Sequence, residues 1–123
     1  MKIEHFAINV EHPTAVAAWY GEHFATRVHR ALDDAAQTHF LYDSQGSVML
    51  EVYNNSQVTT LDFATMDPLL LHLAFVSEDP DADCDRLLDA GASLVERLAL
   101  EGGSLLIMMR DPWGLAIQLC KRG

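Results

Sequence analysis

Glu4-His5-Phe6-Ala7-Ile8-Asn9-Val10 and, further on, Leu71-His72-Leu73-Ala74-Phe75-Val76 decide the fold, because they read as two copies of one strand. His5 and His72 are 72 − 5 = 67 residues apart, and the same offset carries Ala7 onto Ala74, Glu11 onto Glu78, Pro13 onto Pro80, Val28 onto Val95 and Arg30 onto Arg97. It also carries Glu51 onto Gln118 (118 − 51 = 67), so four side chains able to bind a metal occupy equivalent places in two half-length copies. A fixed period reports a duplicated supersecondary unit. One slip interrupts it: the turn Asp43-Ser44-Gln45-Gly46 matches Asp111-Pro112-Trp113-Gly114 at 111 − 43 = 68.

Outward from the two strands, each half repeats one order of elements. Ile3–Val10 predicts a strand, and Pro13–Ala25 a helix, with Pro13 suited to the first turn and Val16, Ala17, Trp19, Tyr20 and Phe24 at helical spacing. Strands Arg27–Leu32, Gln37–Tyr42 and Ser47–Tyr53 follow. In the second half, Leu69–Val76 is a strand, and Pro80–Ala90 a helix opened by Asp79 and stopped by Gly91. Strands Ser93–Leu100, Ser104–Met109 and Leu115–Lys121 complete it. The expected organisation is a single domain over 1–123: module one 1–54, a polar linker 55–68, and module two 69–123. The expected class is α+β, two tandem βαβββ modules.

Period-2 alternation assigns faces. Phe6, Ile8 and Val10 oppose His5, Ala7 and Asn9; Val48, Leu50 and Val52 oppose Met49, Glu51 and Tyr53. Likewise Leu71, Leu73 and Phe75 oppose His72 and Ala74, and Leu115, Ile117 and Leu119 oppose Ala116, Gln118 and Cys120. The bulky aliphatic faces suit packing beneath a helix, which leaves His5, Glu51, His72 and Gln118 together on the other side. The phase of His39 stays open, and Arg30 and Arg97 read equally as carboxylate binders or as salt-bridge partners.

Composition narrows the function. A chain of 123 residues with net charge −10 and only eight basic residues does not suit nucleic acid or an anionic membrane surface. No apolar leader and no long uncharged apolar run is present, so a soluble cytoplasmic protein is expected. Cys84 and Cys120 stand far apart and in no CxxC, which implies neither a disulfide framework nor a zinc knuckle.

The first strand, the run Met49-Leu50-Glu51, the strand around His72, and Arg110-Asp111-Pro112-Trp113-Gly114 leading to Gln118 together resemble the vicinal oxygen chelate superfamily. That superfamily includes glyoxalases, bleomycin-resistance proteins and ring-cleaving dioxygenases. The resemblance implies a curled mixed sheet with helices on its outer face, a homodimer, and metal ligands from the first and fourth strands of each module. Carried over by position, the ligands are His5, Glu51, His72 and Gln118. The implied cofactor is a divalent ion, with Zn, Ni, Fe and Mn all compatible with such donors. Gln118 stands where the family usually has Glu; an amide oxygen can ligate but cannot act as a general base. Glu51 is then the one carboxylate available for proton transfer. Two functions follow: a glyoxalase-like metal-dependent lyase or isomerase acting on a small oxygen-bearing organic substrate, or a metal-free small-molecule binding protein of the bleomycin-resistance type.

Overall fold

A computed structural model describes residues 1–123 and divides them into two compact units, Met1–Leu61 and Asp62–Gly123. The first contains β1 (Phe6–Asn9), α1 (Pro13–Phe24), β2 (Arg27–Ala31), β3 (His39–Tyr42) and β4 (Met49–Tyr53). The second contains a 3-10 turn (Phe63–Thr65), β5 (Leu73–Val76), α2 (Pro80–Asp89), β6 (Ser93–Ala99), a second 3-10 turn (Glu101–Gly103), β7 (Leu105–Arg110) and β8 (Ala116–Lys121). Each unit is therefore βαβββ, and the class is α+β, as the repeat predicts. The strand orders are β1-β4-β3-β2 and β5-β8-β7-β6, with the first pair of each sheet parallel and the others antiparallel.

Local chemistry explains the helix ends. Pro13 and Pro80 both occupy the first helical turn, where a missing N–H is harmless. Asp79 caps α2 by accepting from the Ala82 N–H at 3.1 Å. Helix α1 has no side-chain cap and stops at Ala25 in the left-handed region (φ 54).

Both helices cover the aliphatic side of their own sheet. In the first unit Val16, Ala17 and Tyr20 from α1 are buried along with Ile8, Leu41 and Val52. In the second, Leu87 of α2 is buried along with Ile107, Met109, Ile117 and Leu119, all at most 2% exposed. Burial of each such side chain contributes about 1.5–3 kcal/mol.

The slip in the repeat has a visible origin. The Asp43 N–H donates to the Val48 carbonyl, five residues on, whereas the Asp111 N–H donates to the Leu115 carbonyl, four residues on. The first turn is one residue longer. Otherwise the two turns are alike: Asp43 accepts from the Ser47 N–H and Asp111 from the Leu115 N–H, and Gly46 and Gly114 close them at φ 72 and 95.

Two strands begin later than alternation predicts. Leu69 and Leu70 belong to a turn, because the Asp67 carboxylate accepts from the Leu69 N–H and the Asp67 carbonyl from the Leu70 N–H. Pairing with β8 then starts at Leu73 opposite Ile117. Similarly β1 starts at Phe6, opposite Leu50.

Candidate functional site

His5 and His72 each sit one residue before the first strand of their unit. The residue two places on, Ala7 or Ala74, pairs directly with Glu51 or Gln118. The sequence repeat is thus a register repeat, and each histidine stands diagonally across one parallel strand pair from its partner candidate.

In the first unit this brings the pair together: His5 Nε2 lies 2.9 Å from Glu51 Oε2. On the other side of the ring, Nδ1 meets the carboxylate of Glu4. The Glu4 hydrogen bond, helped by the negative charges of Glu4 and Glu51, raises the imidazole above its ordinary pKa against a smaller opposing desolvation. Phe40 stands beside them, opposite Glu51 in the register, with its ring edge-on to His5 at 6.2 Å between centroids.

In the second unit, His72 Nδ1 donates to the Pro68 carbonyl at 2.8 Å, a bond that orients the ring and leaves Nε2 as the free nitrogen. Gln118 Oε1 accepts from the Cys120 thiol at 3.1 Å. Cys120 and Ala74 also line an open cavity of about 730 Å³, together with Val76, Glu78 and Lys121. No three His, Cys, Asp or Glu side chains converge as a metal-holding group.

The remaining residues singled out by sequence divide clearly. His39 pairs with Val52 and Ala31, on the helix-covered side, and its Nδ1 is held by the Gln37 carbonyl. His12 is exposed beside Glu11, and His23 packs its ring on Trp19 at 5.1 Å. His29 is exposed, its ring against Tyr42 at 5.0 Å. Cys84 is buried, and that burial, with Asp85 and Asp81 nearby, pushes its thiol up, away from reactivity.

Arg30 and Arg97, identical in the sequence repeat, are not structural equivalents. A β-bulge interrupts β2 between Val28 and Arg30, and another interrupts β6 between Leu94 and Glu96. Across the sheets the aligned rows are Ala7–Glu51–Phe40–Arg30 and Ala74–Gln118–Met108–Glu96. The counterpart of Arg30 is therefore Glu96. Arg97 belongs to the opposite face, where it makes two bonds to the Asp81 carboxylate on α2 at 2.7 and 2.8 Å. The guanidinium holds Asp81 below its usual carboxylate pKa. Phe40 was not legible as a site residue from alternation within its own strand; only cross-strand register puts it beside Glu51.

Comparison with known proteins agrees with this architecture. The family model described as Glyoxalase/Bleomycin resistance protein/Dioxygenase superfamily matches residues 2–119. Among solved structures, a glyoxalase family protein from Bacillus cereus is 19% identical, with 98% of this chain and 93% of that chain covered at a TM-score of 0.81. TnmS3, an antibiotic binding protein from Streptomyces sp. CB03234, is 17% identical over 100% of this chain and 97% of that one, TM-score 0.72. FosX, a fosfomycin resistance protein from Listeria monocytogenes, is 16% identical over 100% and 92%, TM-score 0.73. No curated protein matches the sequence.

Proposed function

The chain belongs to the Glyoxalase/Bleomycin resistance protein/Dioxygenase superfamily, and from that premise we propose that it is a metal-dependent lyase or isomerase of the vicinal oxygen chelate type. His5, Glu51, His72 and Gln118 are the proposed ligands and Glu51 the proposed proton-transfer group. The observation that carries this reading is the matched placement of the two pairs. Each histidine precedes its strand by one residue and has Nδ1 engaged by an oxygen, and the residue two places on pairs directly with Glu51 or Gln118. An oxygen partner on the second ring nitrogen is the usual support of a metal-binding imidazole.

The donor set fits a divalent ion. Two imidazole nitrogens, one carboxylate and one amide oxygen are borderline donors compatible with Zn, Ni, Fe or Mn. Bound there, the ion would supply Lewis-acid polarisation of neighbouring oxygens on the substrate. The protein's own part is positional and basic. Glu4 orients the His5 ring, Phe40 stands nearly perpendicular to it, and Pro68 fixes the His72 tautomer. Glu51, half-buried and the sole carboxylate of the four, accepts the substrate proton at Oε2. Gln118 donates or accepts hydrogen bonds but holds no proton to exchange, so the chemistry uses one base rather than two.

A second reading is favoured by one contact: the Gln118 oxygen already accepts the Cys120 thiol. On that reading the protein is a metal-free small-molecule binder, as the likeness to an antibiotic binding protein suggests, and its net charge of −10 suits a cationic ligand.

Elemental analysis of untagged protein purified without chelator separates the two. The enzyme reading expects about one divalent transition metal per chain, lost in Glu51→Ala and His72→Ala. Absence of stoichiometric metal after incubation with Zn, Ni, Mn and Fe salts would refute it and leave the binding protein.

A further inference from the structure

The row Ala7–Glu51–Phe40–Arg30 places an arginine on the same sheet face as Glu51, two strands away. We propose that Arg30 anchors a carboxylate on the substrate, so that the small molecule acted on at His5 and Glu51 is an organic acid with its charged end directed toward β2. This inference rests on the reading of His5 and Glu51 as the chemical end of the site, and it adds the substrate class.

Three observations carry it. Two strand spacings separate Arg30 from Glu51 by about 10 Å along the row. A small acid plus the long arginine stem spans that distance, and the Phe40 ring lies between them as an apolar floor for the carbon chain.

Second, Arg30 is uncommitted. Four of the other five arginines are engaged within the protein: Arg27 donates to the Ser44 carbonyl at 2.6 Å, Arg86 to Asp83 at 3.0 Å, Arg97 to Asp81, and Arg110 to the carbonyls of Phe63, Met66 and Gly114. The Arg30 side chain makes no hydrogen bond or ion pair, and the remaining arginine, Arg122, lies after β8 in the other unit.

Third, a structural salt-bridge role does not transfer from the repeat. Arg97 is held by Asp81 on α2, but the residue at Asp81's place in α1 is Thr14 (81 − 67 = 14), whose hydroxyl bonds Gln37 instead. The place equivalent to Asp81 in α1 thus offers Arg30 no carboxylate, and the register beyond the bulge in β2 puts Arg30 on the Glu51 face. In a chain with only eight basic residues and net charge −10, an unpaired guanidinium in the same row as the candidate base is an uncommon placement of positive charge. Its planar fork suits bidentate carboxylate recognition.

The test compares two probes of equal carbon count, 2-oxoglutarate and 2-oxopentanoate, which differ in the distal carboxylate. Affinities are measured by NMR titration at fixed ionic strength, on the metal-free and the zinc-incubated protein, for wild type, Arg30→Gln, Arg30→Lys and the control Arg122→Gln. The expected result is at least a tenfold preference for 2-oxoglutarate. That preference should disappear in Arg30→Gln, survive in part in Arg30→Lys, and persist in Arg122→Gln. Equal affinities in wild type, binding of neither probe, or a preference retained by Arg30→Gln would overturn the anchor. Zinc uptake in the same samples keeps the two ideas separable. A preference that needs Arg30 in a protein that takes no metal supports the anchor while removing the metal reading. Stoichiometric zinc without the preference does the reverse.

Discussion

Replacing Gly114 and Gly46 by alanine, separately, tests the turn geometry that delivers Gln118 and Glu51 to their sheets. Both glycines occupy the fourth position of an Asp-initiated turn, both have positive φ, and both N–H groups donate to the carbonyl of the leading aspartate at 3.0 Å. The backbone penalty of alanine in the left-handed region is therefore shared, about 1 kcal/mol in each case. What differs is space. A Cβ on Gly46 meets nothing within 4 Å, whereas one on Gly114 falls 2.6 Å from Ala64 Cβ and 2.7 Å from Ala64 N. Ala64 is not free to retreat, since the 3-10 turn it belongs to is tied by Arg110 to the carbonyls of Phe63 and Met66 at 2.8 and 2.7 Å. Forcing that contact adds about 1–3 kcal/mol, so Gly114→Ala should cost about 2–4 kcal/mol and Gly46→Ala about 1. Urea denaturation followed by tryptophan fluorescence and far-UV circular dichroism reads the difference, with the slope checked for constancy. Equal losses in the two variants would refute the steric part of the reasoning; a negligible loss at Gly46 would refute the backbone part.

Two further outcomes follow from the same structure. Thr26 is buried with its hydroxyl lacking any partner, so Thr26→Val should raise stability by about 1 kcal/mol in the same denaturation assay; a loss of stability would show that the hydroxyl is satisfied. Asp43, held below its ordinary pKa of 3.8 chiefly by the Ser47 N–H, gives a signed pH prediction. A depressed carboxylate contributes stability that is present above 3.8 and lost as pH falls through its lowered folded value. Asp43→Asn should therefore be less stable than wild type near neutrality and converge on it in acid, as read by urea midpoints at several pH values. A difference independent of pH would contradict the assignment.

Much of the candidate site could be read from residue order because its parts lie close to strand starts and obey a simple offset. His5 and Glu51 are brought within hydrogen-bond distance by a parallel pairing that any βαβββ unit would make. The equivalent placement of His72 and Gln118 follows from the same offset, which holds for the first and fourth strands of each unit although the strands between them are shifted by a residue either way. Glu4 and Phe40 escaped that reading. Glu4 supports His5 because β1 begins only at Phe6, so strict alternation does not yet apply to Glu4. Phe40 is aligned with Glu51 by register, which no single strand encodes. The arginines show the limit most clearly: the offset pairs Arg30 with Arg97, but displaced bulges put them on opposite faces, one toward Glu51 and the other bound to α2.

Sequence by itself determined the duplicated βαβββ plan, the helix-covered aliphatic faces, the Asp-to-Gly turns and the candidate quartet. These are properties of local periodicity, capping and turn chemistry, which act over a few residues and repeat with the module. Tertiary structure alone decided where strands start, how far each bulge shifts the phase, and hence which side chains share a row with Glu51. Those choices depend on hydrogen-bond register between strands distant in sequence, where an added residue in one strand reverses the face of everything beyond it.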